Sequence, residues 1–95
     1  MDTIIFLCTG NTCRSPMAEG LFRAHNGEEK TGLTAASAGL YTEKGLPASA
    51  NAVAAAGERG ADISAHRSRQ LTAEMAENAK YLVCMTGAHY DRLCE

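Results

Sequence analysis

Cys8 and Arg14 are the two residues of this chain whose types and spacing suggest chemistry, with five residues between them. A cysteine thiolate is a nucleophile, and an arginine guanidinium donates paired hydrogen bonds to two oxygens of one phosphate group. A thiolate held against a bound phosphoryl group would attack the phosphorus atom. Gly10 and Asn11 lie between them and tolerate the left-handed backbone of a tight anion-binding loop. The spacing therefore favours phosphoryl transfer that needs neither a metal ion nor another cofactor.

The flanking residues predict a strand before Cys8 and a helix after Arg14. Residues 4–7 are a short apolar run, which is typical of a strand buried on both faces. Ser15 and Pro16 are typical of a helix N-cap and of the first helical position. A strand-loop-helix junction gathers unpaired N–H groups at the positive end of the helix dipole. Those groups would bind a phosphate and hold the pKa of Cys8 below the usual value of about 8.5.

Residues 8–19, Cys-Thr-Gly-Asn-Thr-Cys-Arg-Ser-Pro-Met-Ala-Glu, closely resemble the phosphate loop of the low-molecular-weight protein tyrosine phosphatase family. The resemblance implies that Cys8 attacks phosphorus, that Arg14 stabilises the equatorial oxygens, and that water then releases phosphate from a thiophosphoryl enzyme. It implies that a phosphorylated protein is the substrate and that phosphate or sulfate binds the loop, which consists of Thr9, Gly10, Asn11, Thr12, Cys13, Arg14 and Ser15. The alternative is a tight turn with two incidental cysteines and a surface arginine.

The resemblance extends more loosely through most of the chain. Ser37-Ala38-Gly39 and residues 65–71 match segments of the family. In the family a hydrogen-bond network holds the phosphate loop open, because a nest of donors must be rigid before an anion binds. The residues that correspond to this network are Asn11, Ser15, Ser37 and His66. The alternatives are that Ser37 only ends a strand and that His66 is a solvated loop residue.

Three further positions bear on redox chemistry and on substrate choice. Cys13 corresponds to the second loop cysteine of the family, and we expect a reversible disulfide with Cys8; the alternative is a small apolar filler. Tyr41 is predicted to be either an aromatic wall of the substrate slot or a surface residue. Thr12 stands where phosphotyrosine-directed relatives have a larger aliphatic residue and where bacterial arginine phosphatases have threonine. The loop therefore most resembles the arginine phosphatases, and phosphoarginine is favoured over phosphotyrosine.

The composition predicts one small domain over residues 1–95. The net charge of −2 is spread along the chain, which argues against nucleic acid or a membrane as a partner. Residue 2 is acidic and the first apolar run has only four residues, so a signal peptide is not expected. The four cysteines could form two disulfides. Without a secretion signal, however, we expect reduced thiols in the cytoplasm.

Strands alternate with helices along the chain, which predicts an α/β fold with a parallel sheet wrapped by helices. The predicted strands are residues 3–7, 33–38 and 81–85, and the predicted helices are residues 15–25, 48–56, 72–79 and 87–94. Residues 28–32 and 61–71 are predicted as loops, and Gly57 is predicted to stop a helix. The resemblance implies a flavodoxin-like phosphatase fold with three parallel strands here and four in full-length relatives. In such sheets the site lies at the carboxyl ends of the strands, where Cys8 falls.

The sequence departs from the family pattern because it contains no Asp-Pro pair. In the family a further strand, an Asp-Pro loop and a final helix follow, and the aspartate protonates the leaving group. Asp91 falls inside the last predicted helix and is a poor substitute. The chain is therefore expected to be a C-terminally truncated member that binds phosphate but turns over about 10²–10⁴-fold more slowly. We also expect its uncovered sheet edge to lead to oligomerisation or a swapped dimer, or else to low stability of the fold.

Other functions are open on the same residues. An arsenate reductase would use Cys8 on the oxyanion and relay oxidation through Cys84 or Cys94, although Cys84 lies in a predicted strand and Cys94 is nearly the last residue. A non-catalytic module would bind phosphate at this loop without turnover. A zinc site of Cys8, Cys13 and His66 has suitable ligand types, but the helix start after the loop argues against it.

Overall fold

The computed structural model of the chain describes residues 2–84. Three strands form one parallel sheet in the order β2-β1-β3, and they are β1 (Asp2–Cys8), β2 (Leu33–Gly39) and β3 (Tyr81–Cys84). The helices of this part of the chain are α1 (Arg14–Ala24), α2 (Gly27–Thr31), α3 (Ala50–Glu58) and α4 (Ala73–Asn78). The predicted α/β class and three-stranded parallel sheet are confirmed. The helix predicted over residues 87–94 lies outside the described residues.

β1 is the central strand because its side chains are apolar on both faces. Ile5 and Leu7 belong to a buried cluster on one face of the sheet, and Met75 of α4 packs against that cluster. Phe6 points to the other face, where its ring centroid lies 5.7 Å from that of Phe22 on α1. Helices therefore cover both faces of β1. This packing positions the carboxyl end of the strand, where Cys8 lies.

A second core joins α1 to α3 and to the segment that follows α3. Its buried residues are small, and they are Ala52, Ala56, Ala61 and Ile63. Met17 and Leu21 of α1 pack against them. A Cβ atom at Gly20 would lie 2.5 Å from Ile63 Cγ2, so this glycine permits the close approach. The apolar residues of α1 therefore serve two cores, because Phe22 packs against Phe6 of the sheet while Met17 and Leu21 pack against the second core.

The start of α1 differs from the prediction. The helix begins at Arg14 with Cys13 in the N-cap position, and no side chain caps it. The prediction that Ser15 is the N-cap and Pro16 the first helical residue is therefore wrong. The reason is that the Ser15 hydroxyl is engaged with the side chains of Cys8 and Asn11.

Two other predictions are also wrong, one of a loop and one of the end of a helix. Residues 27–31 form α2 and not a loop, because Asn26 reverses the chain with a left-handed φ of 62° and Glu28 then accepts a hydrogen bond from the Ala35 N–H. α3 continues through Gly57 to Glu58. A glycine inside a helix costs only about 1 kcal/mol relative to alanine, so it does not end a helix by itself.

β3 pairs with β1 and has no second partner strand within residues 2–84. Its first two residues are exposed, with Tyr81 50% and Leu82 36% accessible. Pairing of this edge with another copy of the chain stays a prediction. Within the same residues no helix is long and apolar enough to cross a membrane.

Candidate active site

Residues 9–13 form the loop between β1 and α1 at the carboxyl end of the sheet. β1 ends at Cys8, which lies in register with Gly39 at the end of β2. Asn11 has a φ of 54°, in the left-handed region that the sequence predicts for this loop, whereas Gly10 does not adopt it. The backbone N–H groups of Asn11 and Cys13 point at the Cys8 sulfur. The loop is therefore a nest of donors around the thiol.

The Cys8 side chain is buried at the floor of this nest. Its Sγ lies 2.8 Å from Ser15 Oγ. The backbone N–H of Ser15 also donates to it, over 3.4 Å. Burial raises the pKa of Cys8, but the hydrogen bonds from Ser15 and from the N–H groups of Asn11 and Cys13 outweigh it and hold the pKa below the ordinary value. The lowered pKa of Cys8 predicted from the sequence is confirmed.

Arg14 lies in the first turn of α1 with its side chain exposed. It lines a cleft of about 220 Å³ together with Cys8, Thr9, Gly10, Thr12 and Cys13. No acidic side chain within residues 2–84 forms an ion pair with Arg14. The cleft therefore joins a thiol of lowered pKa to an uncompensated guanidinium, which is a suitable environment for a small anion.

Asn11 and Ser15 lie behind the cleft and are fully buried. Asn11 Nδ2 donates to Ser15 Oγ over 2.8 Å. The backbone N–H of Arg69 donates to Asn11 Oδ1 over 2.8 Å, and His66 Nε2 lies 2.7 Å from the Asn11 carbonyl oxygen. Because a carbonyl oxygen only accepts, His66 Nε2 carries the proton. The structure thus brings together Asn11, Ser15 and His66, and it ties the loop to residues 66–69.

Ser37 does not join this network within the described residues. Its side chain is fully buried on β2, and its Oγ has no hydrogen-bond partner there. The predicted hydrogen bond from Ser37 to the loop is therefore absent from residues 2–84. The groups it was expected to meet are engaged with one another, since Ser15 Oγ bonds Cys8 and Asn11.

Sequence reasoning missed Ser68 and Gln70, which fasten residues 40–47 beside the cleft. Ser68 is only 2% exposed; its Oγ donates to the Glu43 carbonyl and accepts from the Leu46 N–H. Gln70 Oε1 accepts from the Thr42 N–H over 2.9 Å. The match of residues 65–71 to the family was the one sequence signal that could have identified Ser68 and Gln70. That match does not say which polar side chains in the segment are buried.

A second concavity, which we call the flanking groove, adjoins the cleft. It has a volume of about 510 Å³ and is lined by Gly10, Thr12, Tyr41, Thr42, Glu43, Leu46 and Gln70. Two of these residues, Gly10 and Thr12, also line the cleft. Tyr41 lies in the wall of the flanking groove with 71% of its surface exposed. Its contact with a substrate stays a prediction.

A cavity larger than the cleft lies elsewhere among the described residues. It measures about 620 Å³ and lies between α1 and residues 60–69, and none of residues 8–14 lines it. Volume alone therefore does not identify the site, whereas the convergence of thiol, N–H groups and guanidinium does.

The other described cysteines differ in their surroundings. Cys13 is exposed, and Cys84 is half-buried against the cluster that contains Ile5 and Leu7, on the strand predicted for it. Cys8 and Cys13 are not disulfide-bonded. No group of three or more His, Cys, Asp or Glu residues in the described part of the chain could hold a metal ion. The considered zinc site is thus not formed there, and His66 Nε2 is turned to Asn11.

Comparison with known proteins agrees with this geometry. A family model described as low molecular weight phosphotyrosine protein phosphatase matches residues 3–95. The probable low molecular weight protein-tyrosine-phosphatase EpsP of Ralstonia nicotianae is 41% identical over 88 residues, which are 93% of this chain and 58% of EpsP. A protein-arginine-phosphatase of Geobacillus stearothermophilus is 40% identical over 92 residues, which are 97% of this chain and 60% of the relative.

A solved structure is similar throughout the matched region. It is described as YwlE arginine phosphatase, a cysteine-to-serine mutant with a phosphorylated active site serine. Its TM-score is 0.88 at 39% identity, with 99% of this chain and 60% of that chain covered. The chain thus spans between 57% and 62% of the length of the curated relatives it matches.

Proposed function

Because the chain belongs to the low molecular weight phosphotyrosine protein phosphatase family, we propose that it hydrolyses phosphorylated protein side chains with Cys8 as the nucleophile. The main support is the set of hydrogen-bond donors around the Cys8 sulfur atom. Cys8 Sγ accepts hydrogen bonds from Ser15 and from loop N–H groups at the floor of the cleft that Arg14 lines. A thiol of lowered pKa in a nest of anion-binding donors is suited to attack on phosphorus.

The proposed reaction has two steps. The Cys8 thiolate attacks phosphorus, an S–P bond forms, and the bond from phosphorus to the leaving oxygen or nitrogen breaks. The loop N–H groups and Arg14 stabilise the negative charge on the equatorial oxygens. A water molecule then attacks phosphorus, loses its proton to solvent and breaks the S–P bond, which releases phosphate and the thiolate. The leaving group takes a proton from solvent in the first step.

We propose phosphoarginine as the preferred substrate over phosphotyrosine. Relatives named for each activity are about equally similar to the chain, at 41% and 40% identity, so similarity does not decide between them. Thr12 favours phosphoarginine because it lines both the cleft and the flanking groove. Its hydroxyl can accept a hydrogen bond from a guanidinium N–H, which the phenol ring of phosphotyrosine cannot donate.

A single-turnover assay tests both proposals, catalysis by Cys8 and the preference for phosphoarginine. We expect phosphate to transfer to Cys8 from phosphoarginine and phosphotyrosine peptides, with the first substrate faster. Thr12→Val keeps the size of the side chain but removes the hydroxyl, so it should lower the phosphoarginine rate relative to phosphotyrosine by about two- to tenfold, the worth of one hydrogen bond. Phosphate binding without any phosphorylated Cys8 would refute catalysis. An unchanged ratio in Thr12→Val would refute the substrate assignment alone.

We further propose that Cys13 protects the nucleophile. Peroxide oxidises the Cys8 thiolate to a sulfenic acid and is itself reduced to hydroxide; the Cys13 thiol then condenses with the sulfenic acid, forming a disulfide and releasing water. Cys13 supports this role because it lines the same cleft as Cys8 and is exposed. Peptide mass spectrometry after mild peroxide should find the Cys8–Cys13 disulfide, reversible with a thiol. Sulfinic acid on Cys8 as the sole product would contradict it.

A further inference from the structure

We propose that the flanking groove selects substrates in which a basic residue lies next to the phosphorylated residue, and that Glu43 makes this selection. The inference rests on the proposed phosphatase function, because it concerns the chain on either side of the group that Cys8 attacks. The flanking groove shares Gly10 and Thr12 with the cleft. A polypeptide with its phosphoryl group in the cleft therefore passes residues adjoining it into the groove. Its volume of about 510 Å³ suits a ligand, since binding pockets measure about 300–1,000 Å³.

The charge of the flanking groove is determined by one residue. Among the described residues that line it, Glu43 is the only carboxylate, and there is no arginine, lysine or histidine. No basic side chain within residues 2–84 forms an ion pair with Glu43. Its carboxylate is therefore exposed and uncompensated beside a cleft that binds anions. A substrate that is negative at the phosphoryl group and positive at the next residue complements both charges.

The other groove residues suit a lysine or arginine side chain. Tyr41 is 71% exposed, and an aromatic face attracts a cation that lies near its centre. Leu46 is 40% exposed and offers apolar surface to the methylene groups of a long basic side chain. An acidic neighbour of the phosphorylated residue would instead meet the Glu43 carboxylate without a compensating donor. The groove therefore both attracts basic neighbours and repels acidic ones.

The position of Glu43 relative to the cleft is fixed through one segment of the chain. Ser68 Oγ donates to the Glu43 carbonyl, and Gln70 binds the Thr42 N–H. The same segment holds the phosphate loop, because His66 and the Arg69 N–H both bond Asn11. Residues 66–70 thus form hydrogen bonds both to the phosphate loop and to the backbone beside the flanking groove. The phosphoryl group and its neighbour are therefore recognised together.

The test uses phosphopeptides that differ only in the residues flanking the phosphorylated residue, which are lysine, glutamine or glutamate. Affinities are measured with the Cys8→Ala chain, which has no side chain to accept the phosphoryl group, and kcat/KM is measured with the unmodified chain. Exposed ion pairs contribute modestly, so we expect the lysine peptide to be preferred over the glutamate peptide by about three- to tenfold at low salt. Glu43→Gln should bring this ratio close to one, and Glu43→Lys should reverse it. Salt of about 0.5 M should weaken the preference, because it screens exposed charges.

Glu77→Lys is the matched control, since it makes the same charge change at an exposed residue of α4 that does not line the groove. It should keep the preference of the unmodified chain. The inference is overturned if Glu43→Lys and the unmodified chain show the same ratio of affinities, or of kcat/KM, for the lysine and glutamate peptides. Hydrolysis of p-nitrophenyl phosphate, which has no flanking residues, separates the two proposals. Hydrolysis with an unaltered ratio refutes the role of Glu43 alone, whereas no hydrolysis refutes the phosphatase function.

Discussion

Replacing Ser15 by alanine tests whether this hydroxyl stabilises the Cys8 thiolate. Ser15 Oγ lies 2.8 Å from Cys8 Sγ and 2.8 Å from Asn11 Nδ2. The amide Nδ2 can only donate, so Ser15 Oγ accepts from Asn11 and its own hydrogen is available for the sulfur. A thiolate can only accept. Ser15 is therefore a donor to Cys8, and Asn11 orients it.

The size of the effect follows from the charge on the acceptor. A hydrogen bond to a charged group contributes about 1.5–3 kcal/mol. A difference of 1.36 kcal/mol changes the ratio of the two protonation states tenfold. Ser15→Ala should therefore lower the ratio of thiolate to thiol at Cys8 by about tenfold to a hundredfold at a given pH. The N–H groups of Ser15, Asn11 and Cys13 remain, so part of the lowering of the Cys8 pKa persists.

The assay is the rate of iodoacetamide alkylation as a function of pH, with peptide mass spectrometry to distinguish Cys8 from the other cysteines. The titration of Cys8 in Ser15→Ala should move to higher pH, and phosphate or vanadate should slow alkylation in the unmodified chain. Ser64→Ala removes another serine hydroxyl, in an exposed turn where it bonds Asp62, and should leave the titration unchanged. The same titration in Ser15→Ala and in the unmodified chain, with folding preserved by circular dichroism, would refute the assigned role of Ser15.

Other substitutions test the pH dependence, the network and the end of β2. The pKa of Cys8 is lowered on folding, so its thiolate stabilises the fold above the ordinary cysteine pKa, and this contribution is lost as pH falls through the lowered pKa. In urea titrations Cys8→Ser should therefore cost more unfolding free energy near pH 9.5 than at about pH 5. His66→Ala removes the bond to the Asn11 carbonyl and should lower p-nitrophenyl phosphate turnover about two- to tenfold, while phosphate still protects Cys8 from alkylation. Gly39→Ala places a Cβ atom 2.9 Å from the Thr9 carbonyl oxygen and should lower the unfolding free energy by about 1–3 kcal/mol.

Each of these changes has its own control or contrary outcome. A difference between Cys8→Ser and the unmodified chain that is constant with pH would contradict the thiolate contribution. His25→Ala changes an exposed histidine after α1 and should not affect turnover, whereas unchanged kinetics in His66→Ala would remove His66 from the site. The control for Gly39→Ala is Gly57→Ala, whose Cβ atom would have no neighbour within 4 Å on α3. This change should stabilise the fold by about 0.5–1 kcal/mol. A Gly39→Ala chain as stable as the unmodified one would show that the end of β2 is not tightly packed.

The local part of the site was predictable from the sequence because it is short and continuous. The apolar run before Cys8 specifies a central strand, and the position of Arg14 six residues later places the guanidinium in the first turn of the next helix. Asn11 supplies the left-handed residue that closes the loop. Part of the lowering of the Cys8 pKa follows from this arrangement, since the N–H groups of Asn11 and Cys13 are backbone donors of the same loop.

The errors of prediction lie where a side chain is given its role by a distant segment. Ser15 resembles a helix cap in sequence, but its hydroxyl forms a hydrogen bond with the Cys8 sulfur, because β1 brings that sulfur within 2.8 Å of it. Ser37 is fully buried, yet it lacks the predicted hydrogen bond within the described residues. Ser68 and Gln70 have no helical or strand periodicity to mark them, and they become important only where the chain folds back on residues 40–47.

By itself, then, the sequence determined the strand, the loop after it and the position of Cys8 and Arg14 on either side of that loop, since neighbouring residues and backbone geometry are sufficient for them. The tertiary structure alone decided which of the polar residues far along the chain hold that loop, and it placed Glu43 beside the cleft. The physical reason is that hydrogen bonds and charges act over a few ångströms. A pattern of residue types does not reveal which residues 55 or 58 positions apart, such as Asn11 with His66 and Arg69, will meet at that distance.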